Sequence, residues 1–291
     1  MENVIEHNEE KKGSILHRYK YLFLRRFTQI TILVLYIGGN VYSWKILQGN
    51  LSSSKIMNVI PMADPYAVLQ IFATGSLVAI DTLIGALIVL FFYAVIGGRA
   101  FCAWVCPMNM ITDLANWIRR KFKLDKDEYH PLTISRNVRY WILAVSFVIS
   151  AFVMTPAFEM VNPISMLHRG LIFGMGFGWT VVAAVFFFDL FVVKNGWCGH
   201  LCPLGAFYSI IGKKSLIRVY HNHDKCTLCM ECKAVCPEKP VLHMVGKDGF
   251  NSFVNSGACI NCGRCIEVCP ADALSFKFRL KNPQKEEKNH V

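Results

Sequence analysis

Twelve cysteines in a chain of 291 residues fall into two kinds of pattern. Toward the C-terminal end stand Cys226, Cys229, Cys232 and Cys236-Pro237, followed by Cys259, Cys262, Cys265 and Cys269-Pro270. Both runs read C-x2-C-x2-C-x3-C-P, a spacing whose thiolates hold [4Fe–4S] clusters and move single electrons. The first three cysteines of a run wrap one cube, while the fourth reaches across to the other. The expected ligand sets are therefore crossed: Cys226, Cys229, Cys232 and Cys269 for one cluster, and Cys259, Cys262, Cys265 and Cys236 for the second. The prolines fit, since a proline in the first turn of a helix lacks only an N–H that would have no partner there. Zinc sites usually take their ligands as two separated pairs, and disulfide frameworks belong to oxidising compartments. Neither explains the doubled run.

The other four cysteines repeat a shorter pattern. Phe101-Cys102-Ala103-Trp104-Val105-Cys106-Pro107 and Trp197-Cys198-Gly199-His200-Leu201-Cys202-Pro203 both read aromatic-C-x3-C-P. Continued as a helix, C-x3-C is an i,i+4 pair that places both sulfurs on one face, and two such half-sites supply four thiolates. A further redox centre at Cys102, Cys106, Cys198 and Cys202 and a redox-active dithiol both remain open. Burial as small packing residues is the plainer alternative, and the doubled spacing speaks against it. Cys-x2-Cys-His is absent, so the sequence gives no support to covalent haem.

The elements that must carry these cysteines are apolar. The mean hydropathy is +0.36 and 54% of residues are hydrophobic, far above what a soluble ferredoxin needs. Four stretches, near Phe27–Trp44, Ser76–Ile96, Val138–Phe158 and Leu171–Val193, approach the roughly 20 apolar residues that cross a bilayer as a helix. The expected architecture is a membrane α-helical domain of four transmembrane helices, followed by a small α+β ferredoxin-like domain with two [4Fe–4S] clusters. The expected segments are 1–26 as a cytoplasmic N-terminal stretch, 27–215 as the membrane domain, 216–280 as the ferredoxin-like domain and 281–291 as a polar, disordered tail.

The net charge of +11 is set by topology rather than by nucleic acid. Lys11, Lys12, Arg18, Lys20, Arg25 and Arg26 precede the first span. Arg99, Arg119, Arg120, Lys121, Lys123, Lys126 and Arg136 lie between the second and third. Basic residues stay on the cytoplasmic side, which predicts a multi-pass inner-membrane protein with both termini and the ferredoxin-like domain in the cytoplasm. The basic start leads into a full-length span without a convincing cleavage site, so the first span is expected to remain as an uncleaved anchor.

The outer loops repeat as well. Asp64-Pro65-Tyr66-Ala67-Val68-Leu69-Gln70 and Asn162-Pro163-Ile164-Ser165-Met166-Leu167-His168 each precede the second span of a hairpin. Both hairpins start on the same side, so the membrane domain reads as a parallel two-hairpin repeat about an axis along the membrane normal. The Asx-Pro pair favours a turn and a cap for a short helix. One turn on, Gln70 and His168 are expected to project toward the axis, where a quinol needs partners for two hydroxyls and an acceptor for its protons. Asp81, expected some six residues inside the second span, about 9 Å at the helical rise, is the third candidate because ionisable groups at membrane depth are functional by default. Glu159 and Asp189 rank below it.

Taken together, the inner C-x3-C-P motifs, the spans and the paired ferredoxin runs resemble the NapH family of membrane ferredoxin-type proteins, from about Tyr21 to Lys281. That resemblance implies a quinol dehydrogenase subunit. It would draw on the membrane quinone pool and pass electrons to a periplasmic NapG-like iron–sulfur protein, and through it to periplasmic nitrate reductase or a c-type cytochrome. The family's cysteines correspond to Cys102, Cys106, Cys198, Cys202 and the eight ferredoxin positions. Related regulators of nitrous oxide reduction and copper-reducing oxidase-assembly proteins carry extra domains, and the methylamine utilisation protein is the harder relative to set apart; length and the missing domains favour the NapH resemblance. The competing reading is a metal (copper) reductase or maturation factor built on the same clusters.

Overall fold

A computed structural model describes residues 19–122, 134–174, 176–246 and 252–279. The polar tail 281–291, most of the N-terminal segment and the middle of the central basic loop lie outside the described residues. The first helix, α1 (Lys20–Val41), has 22 residues and is long and apolar enough to cross a membrane. A three-stranded antiparallel meander follows, β1 (Leu47–Gly49), β2 (Ser53–Ile56) and β3 (Ile60–Ala63); its short strands carry no clear apolar alternation, and the sequence alone does not reveal it. Then come α2 (Pro65–Ala73), α3 (Ile80–Ile96), α4 (Ala100–Trp104) and α5 (Met108–Lys121). The second half runs α6 (Val138–Val153), α7 (Ala157–Val161), α8 (Pro163–Phe173), α9 (Gly178–Phe187) with a π-helical continuation Phe188–Val192, a π-helical turn Trp197–Leu201, and α10 (Pro203–Ile211).

The expected spans differ in length for local reasons. Gly75, at φ 75°, closes the turn after α2, and α3 starts at Ile80 rather than Ser76. Met154 ends α6 in the left-handed conformation, with Pro156 two residues on, so this helix stops short of Phe158. Gly174, at φ 100°, ends α8 inside the stretch read as one fourth span. Besides α1, the helices Ile80–Ile96, Val138–Val153 and Gly178–Val192 are apolar but shorter than a full crossing.

Burial in these helices runs opposite to that of a soluble bundle. In α3 the buried positions are Gly85, Ala86 and Val89, while Leu87, Ile88, Phe91 and Phe92 face outward. In α6, Ser146 and Ser150 are buried and Trp141, Val145, Val148 and Phe152 are exposed. The inward polar groups pair with each other and with backbone: Tyr66 Oη lies 2.7 Å from Ser146 Oγ, and Ser150 Oγ donates to the Ser146 carbonyl at 2.7 Å.

The C-terminal part carries a second antiparallel sheet in the order β5-β4-β6, with β4 (Ile217–His221) central between β5 (Ser252–Phe253) and β6 (Leu274–Phe278). Two one-turn helices, α11 (Glu231–Val235) and α12 (Arg264–Glu267), pack beneath it. The described chain forms two compact units that are discontinuous in sequence. One comprises residues up to Phe27 with Tyr93–Trp104 and the chain from Ser209; the other comprises Thr28–Phe92 and Val105–Tyr208.

Candidate iron–sulfur centres

The two ferredoxin runs fold alike, residue for residue. Leu228 and Met230 take positive φ (56° and 60°) in the first loop, and Asn261 and Gly263 take it (49° and 75°) at the matching positions of the second. These left-handed residues coil each loop back on itself before its one-turn helix, so that successive cysteines face a common centre. Gly263 is required twice over: besides its positive φ, a Cβ there would stand 2.5 Å from Cγ of Tyr21. After α11, Cys236 is extended (φ −73°, ψ 123°), as the residue before a proline prefers, and the chain turns away toward the other loop.

The result is two cavities. One is lined by Cys226, Cys229, Cys232 and Cys269 with His221, Met230, Val245 and Leu274 among its walls. The other is lined by Cys259, Cys262, Cys265 and Cys236 with Glu238, Val219, Ile260 and Arg264. Each gathers three thiols of one run and one of the other. None of the twelve cysteines is in a disulfide. Among the described residues no group of three or more potential ligands is drawn tightly enough around one point to hold a single metal ion; the eight sulfurs surround space instead.

The donor chemistry fits a cluster. Burial pushes the Cys232 thiol up to about 11, and neighbouring Cys229 and Cys269 add to it. Burial also raises Cys265 well above its ordinary value, with Cys262, Cys259, Cys236 and Cys232 adding to the effect. Such thiols ionise only if a cation shares the cavity, which is what iron supplies. A backbone N–H already points at one sulfur, Ala273 N to Cys269 Sγ at 3.3 Å, a contact of the kind that tunes cluster potentials.

The C-x3-C-P motifs are not continuous helices. Cys102 lies on α4, but Cys106 falls in the break before α5; Cys198 lies on the π-helical turn Trp197–Leu201, and Cys202 is extended (φ −66°, ψ 111°) before Pro203 opens α10. The expectation of an i,i+4 pair on one helical face is corrected here, because each proline forces the preceding cysteine out of the helix. The Cys202-Pro203 corner has the same backbone as Cys236-Pro237. The unit boundary falls inside the first motif, between Trp104 and Val105. Cys102 packs with Ile260 and Cys262 beside the second ferredoxin loop, and Trp104 Nε1 donates to the Asn261 carbonyl at 3.1 Å. In the other unit, Cys198 is raised well above its usual range by burial first, then by Asp189, Cys106 and Cys202. Thr112 Oγ1 lies 3.3 Å from Cys198 Sγ, and Gly205 N donates to Cys202 Sγ at 3.4 Å. Three of the four cysteines thus form one neighbourhood.

The outer motifs also repeat in three dimensions. Asp64 and Asn162 each cap a proline-initiated helix, accepting from Tyr66 N and Ile164 N, both at 3.1 Å. One turn on, Gln70 and His168 are both buried, at 0% and 1% exposure. Gln70 Oε1 accepts from Phe158 N at 3.1 Å while its Nε2 has no partner; neither ring nitrogen of His168 has one, and Tyr36 meets its ring edge-on at 4.7 Å. Burial, and then Arg169, pushes His168 down to about 4, and burial lifts Asp64 to about 7. Glu159, ranked low from sequence, is a hub: its Oε1 accepts from Ser52 and Ser165 Oγ at 2.5 and 2.9 Å. Asp81 is corrected in depth. It stands exposed in the first turn of α3, where a carboxylate suits the helix dipole.

Comparison with known proteins decides the family. The family described as 4Fe-4S binding domain matches residues 78–125 and again 172–219, one match on each C-x3-C-P motif. The 4Fe-4S dicluster domain matches 218–270. The ferredoxin-type protein NapH of Escherichia coli is 42% identical over 278 residues, 95% of each chain. The methylamine utilization ferredoxin-type protein MauN of Methylorubrum extorquens is 43% identical over 91% of each, and NapH of Haemophilus influenzae 42% over 90% of this chain and 91% of its own. The chain belongs to the NapH/MauN family of ferredoxin-type proteins. No solved structure matches it.

As a NapH-like protein with iron–sulfur binding domains, it also holds site residues that the cysteine spacing did not reveal. Asn261 Nδ2 donates to the Ile96 and Ile217 carbonyls at 3.3 and 3.0 Å. Arg99 bridges Glu238 and the Ala258 carbonyl at 2.5 and 2.9 Å. Arg218 and His221 lie buried on β4, at 1% exposure each. Their only sequence signal is polarity in or beside an otherwise apolar stretch.

Proposed function

We propose that this protein is the membrane-bound electron-transfer subunit of a quinol dehydrogenase. It crosses the bacterial inner membrane four times, with both termini and the ferredoxin-like domain in the cytoplasm. It takes electrons from menaquinol or ubiquinol and passes them toward a periplasmic NapG-like protein and nitrate reductase. The observation that carries this reading is the sorting of the eight ferredoxin cysteines into two four-thiol cavities, which supports the crossed ligand sets. Iron–sulfur cubes bound there would supply reversible one-electron chemistry. Cys106, Cys198 and Cys202 are assigned to a third redox centre, supported by the doubled match to a 4Fe-4S binding domain.

The outward apolar faces of the four helices support membrane insertion, because large contiguous apolar surface is rarely left to water. At the outer motifs, Gln70 Nε2 and the His168 ring are assigned to the two ends of the quinol, supported by their repeat-related burial without partners. Neutral His168 is suited to accept a hydrogen bond from a quinol hydroxyl. The test is anaerobic purification, reconstitution in liposomes with menaquinol and the periplasmic partner, and spectroscopy of the clusters. Quinol-dependent reduction of cluster signals is expected; zinc in place of iron would sink the idea. A second reading rests on the 43% identity to MauN: the same electron-transfer role would serve methylamine utilization instead, and the acceptor used in reconstitution separates the two.

A further inference from the structure

The two cavities differ in charge. The Cys226/229/232/269 cavity has no charged side chain among its described lining residues; half-buried Lys233 donates to the Val245 carbonyl at 2.6 Å, near enough to water to be screened. The Cys259/262/265/236 cavity is lined by Glu238 and Arg264, and two buried guanidiniums hold the backbone leading into it. Arg99 donates to the Ala258 carbonyl and is neutralised by Glu238. Arg218 Nη1 donates to the Ser256 carbonyl at 2.9 Å, the same oxygen that accepts the Cys259 N–H at 3.3 Å.

Arg218 is the anomaly. It is 1% exposed, its Nε and Nη2 have no hydrogen-bond partner, and no carboxylate among the described residues pairs with it. A buried, unpaired cation costs several kcal/mol by order of magnitude, so an arginine in this place calls for an anion nearby. Four thiolates around a cluster are that anion: an iron–sulfur cube with four cysteine ligands is net negative and gains one more negative charge with each electron it accepts. Cys259, first of its run, shares a carbonyl oxygen with Arg218 and feels its charge, with that of Arg99, against the burial that raises it.

We propose that Arg218 is the built-in counter-charge of the second cluster, holding its reduction potential up, while no charged side chain among the described residues lines the first cavity. This rests on the cluster assignment above but not on the quinol reaction. A buried positive charge stabilises the reduced, more negative state over the oxidised one, and low dielectric strengthens the effect.

The test is a mediator-poised redox titration of the intact purified protein, followed by electron paramagnetic resonance. Cys226→Ser and Cys259→Ser variants assign each signal to its cluster. In Arg218→Gln the second cluster should titrate at a lower potential with the first unmoved, and Arg218→Lys should keep more of the wild-type value than Gln. Unchanged potentials, or an equal shift of both, would overturn the proposal. So would loss of the second cluster from both Arg218→Gln and Arg218→Lys at normal protein levels, which would make Arg218 a folding residue. If no iron is found in the wild type, the cluster assignment itself fails, an outcome distinct from these.

Discussion

Single residues carry the sharpest tests. In the crossed arrangement Cys232 and Cys269 serve one cluster although they belong to different runs, so Cys232→Ser and Cys269→Ser should leave the same surviving resonance signal, and Cys236→Ser should share its effect with Cys265→Ser. Matching of Cys269→Ser with Cys265→Ser would overturn the crossing. For the membrane-domain motifs, Cys106→Ala and Cys202→Ala should each abolish quinol-dependent electron transfer at near-normal membrane levels, with the double variant no worse. A packed cysteine would cost only a few kcal/mol or less and act through abundance. Asp64 gives a pH test. Its folded pKa, lifted by burial to about 7 from 3.8, means the folded state binds more protons than the unfolded across that window, so this residue's contribution to stability falls as pH rises from about 4 through 7. His168 works in the opposite sense, since its lowered value makes stability fall as pH drops from 6.5 toward 4. Asp64→Asn installs the residue found at the matching position of the second half and keeps the cap. It should raise thermal stability at pH 8 relative to wild type and flatten the fall between pH 4 and 7; an unaltered pH profile would count against a buried, ionising Asp64.

Elements show where sequence reading succeeds and where it stops. The ferredoxin loops were legible because ligand spacing is a local property: the grouping of Cys226, Cys229, Cys232 and Cys269 follows from a few residues and one crossover. The caps at Asp64 and Asn162 were legible for the same reason, since an Asx side chain reaches only two residues on. The C-x3-C-P geometry misled, because the cysteine spacing suggests a helix while the next residue, proline, removes it. The strands Leu47–Gly49, Ser53–Ile56 and Ile60–Ala63 and the π-helical turn at Cys198 have no local apolar period to mark them, and the placement of Arg218 depends on Ser256, farther along the chain. The capping claim can be checked directly: Asn162→Ala should cost about 1 kcal/mol, read as a lower melting temperature, whereas Asn162→Asp keeps the cap but sets a second carboxylate beside Glu159. Equal melting of the wild type and the alanine variant would remove the cap from the account of α8.

At the scale of the whole molecule, the proposed topology has a direct test. Reporter fusions at about Asn50 and Ser165 should report the periplasm, and fusions near Asp127 and after Val291 the cytoplasm; an external C-terminus would reassign the compartment of every cluster. One contact bears on how such a chain is made. Glu267, in the one-turn helix just before Cys269, accepts the amide protons of Tyr21 and Leu22 at 2.6 and 2.9 Å, across 246 and 245 positions of sequence. The first turn of the first long helix therefore lacks its carboxylate acceptor until almost the entire protein has left the ribosome. A chain interrupted before Glu267 leaves these two amides at the start of α1 to water.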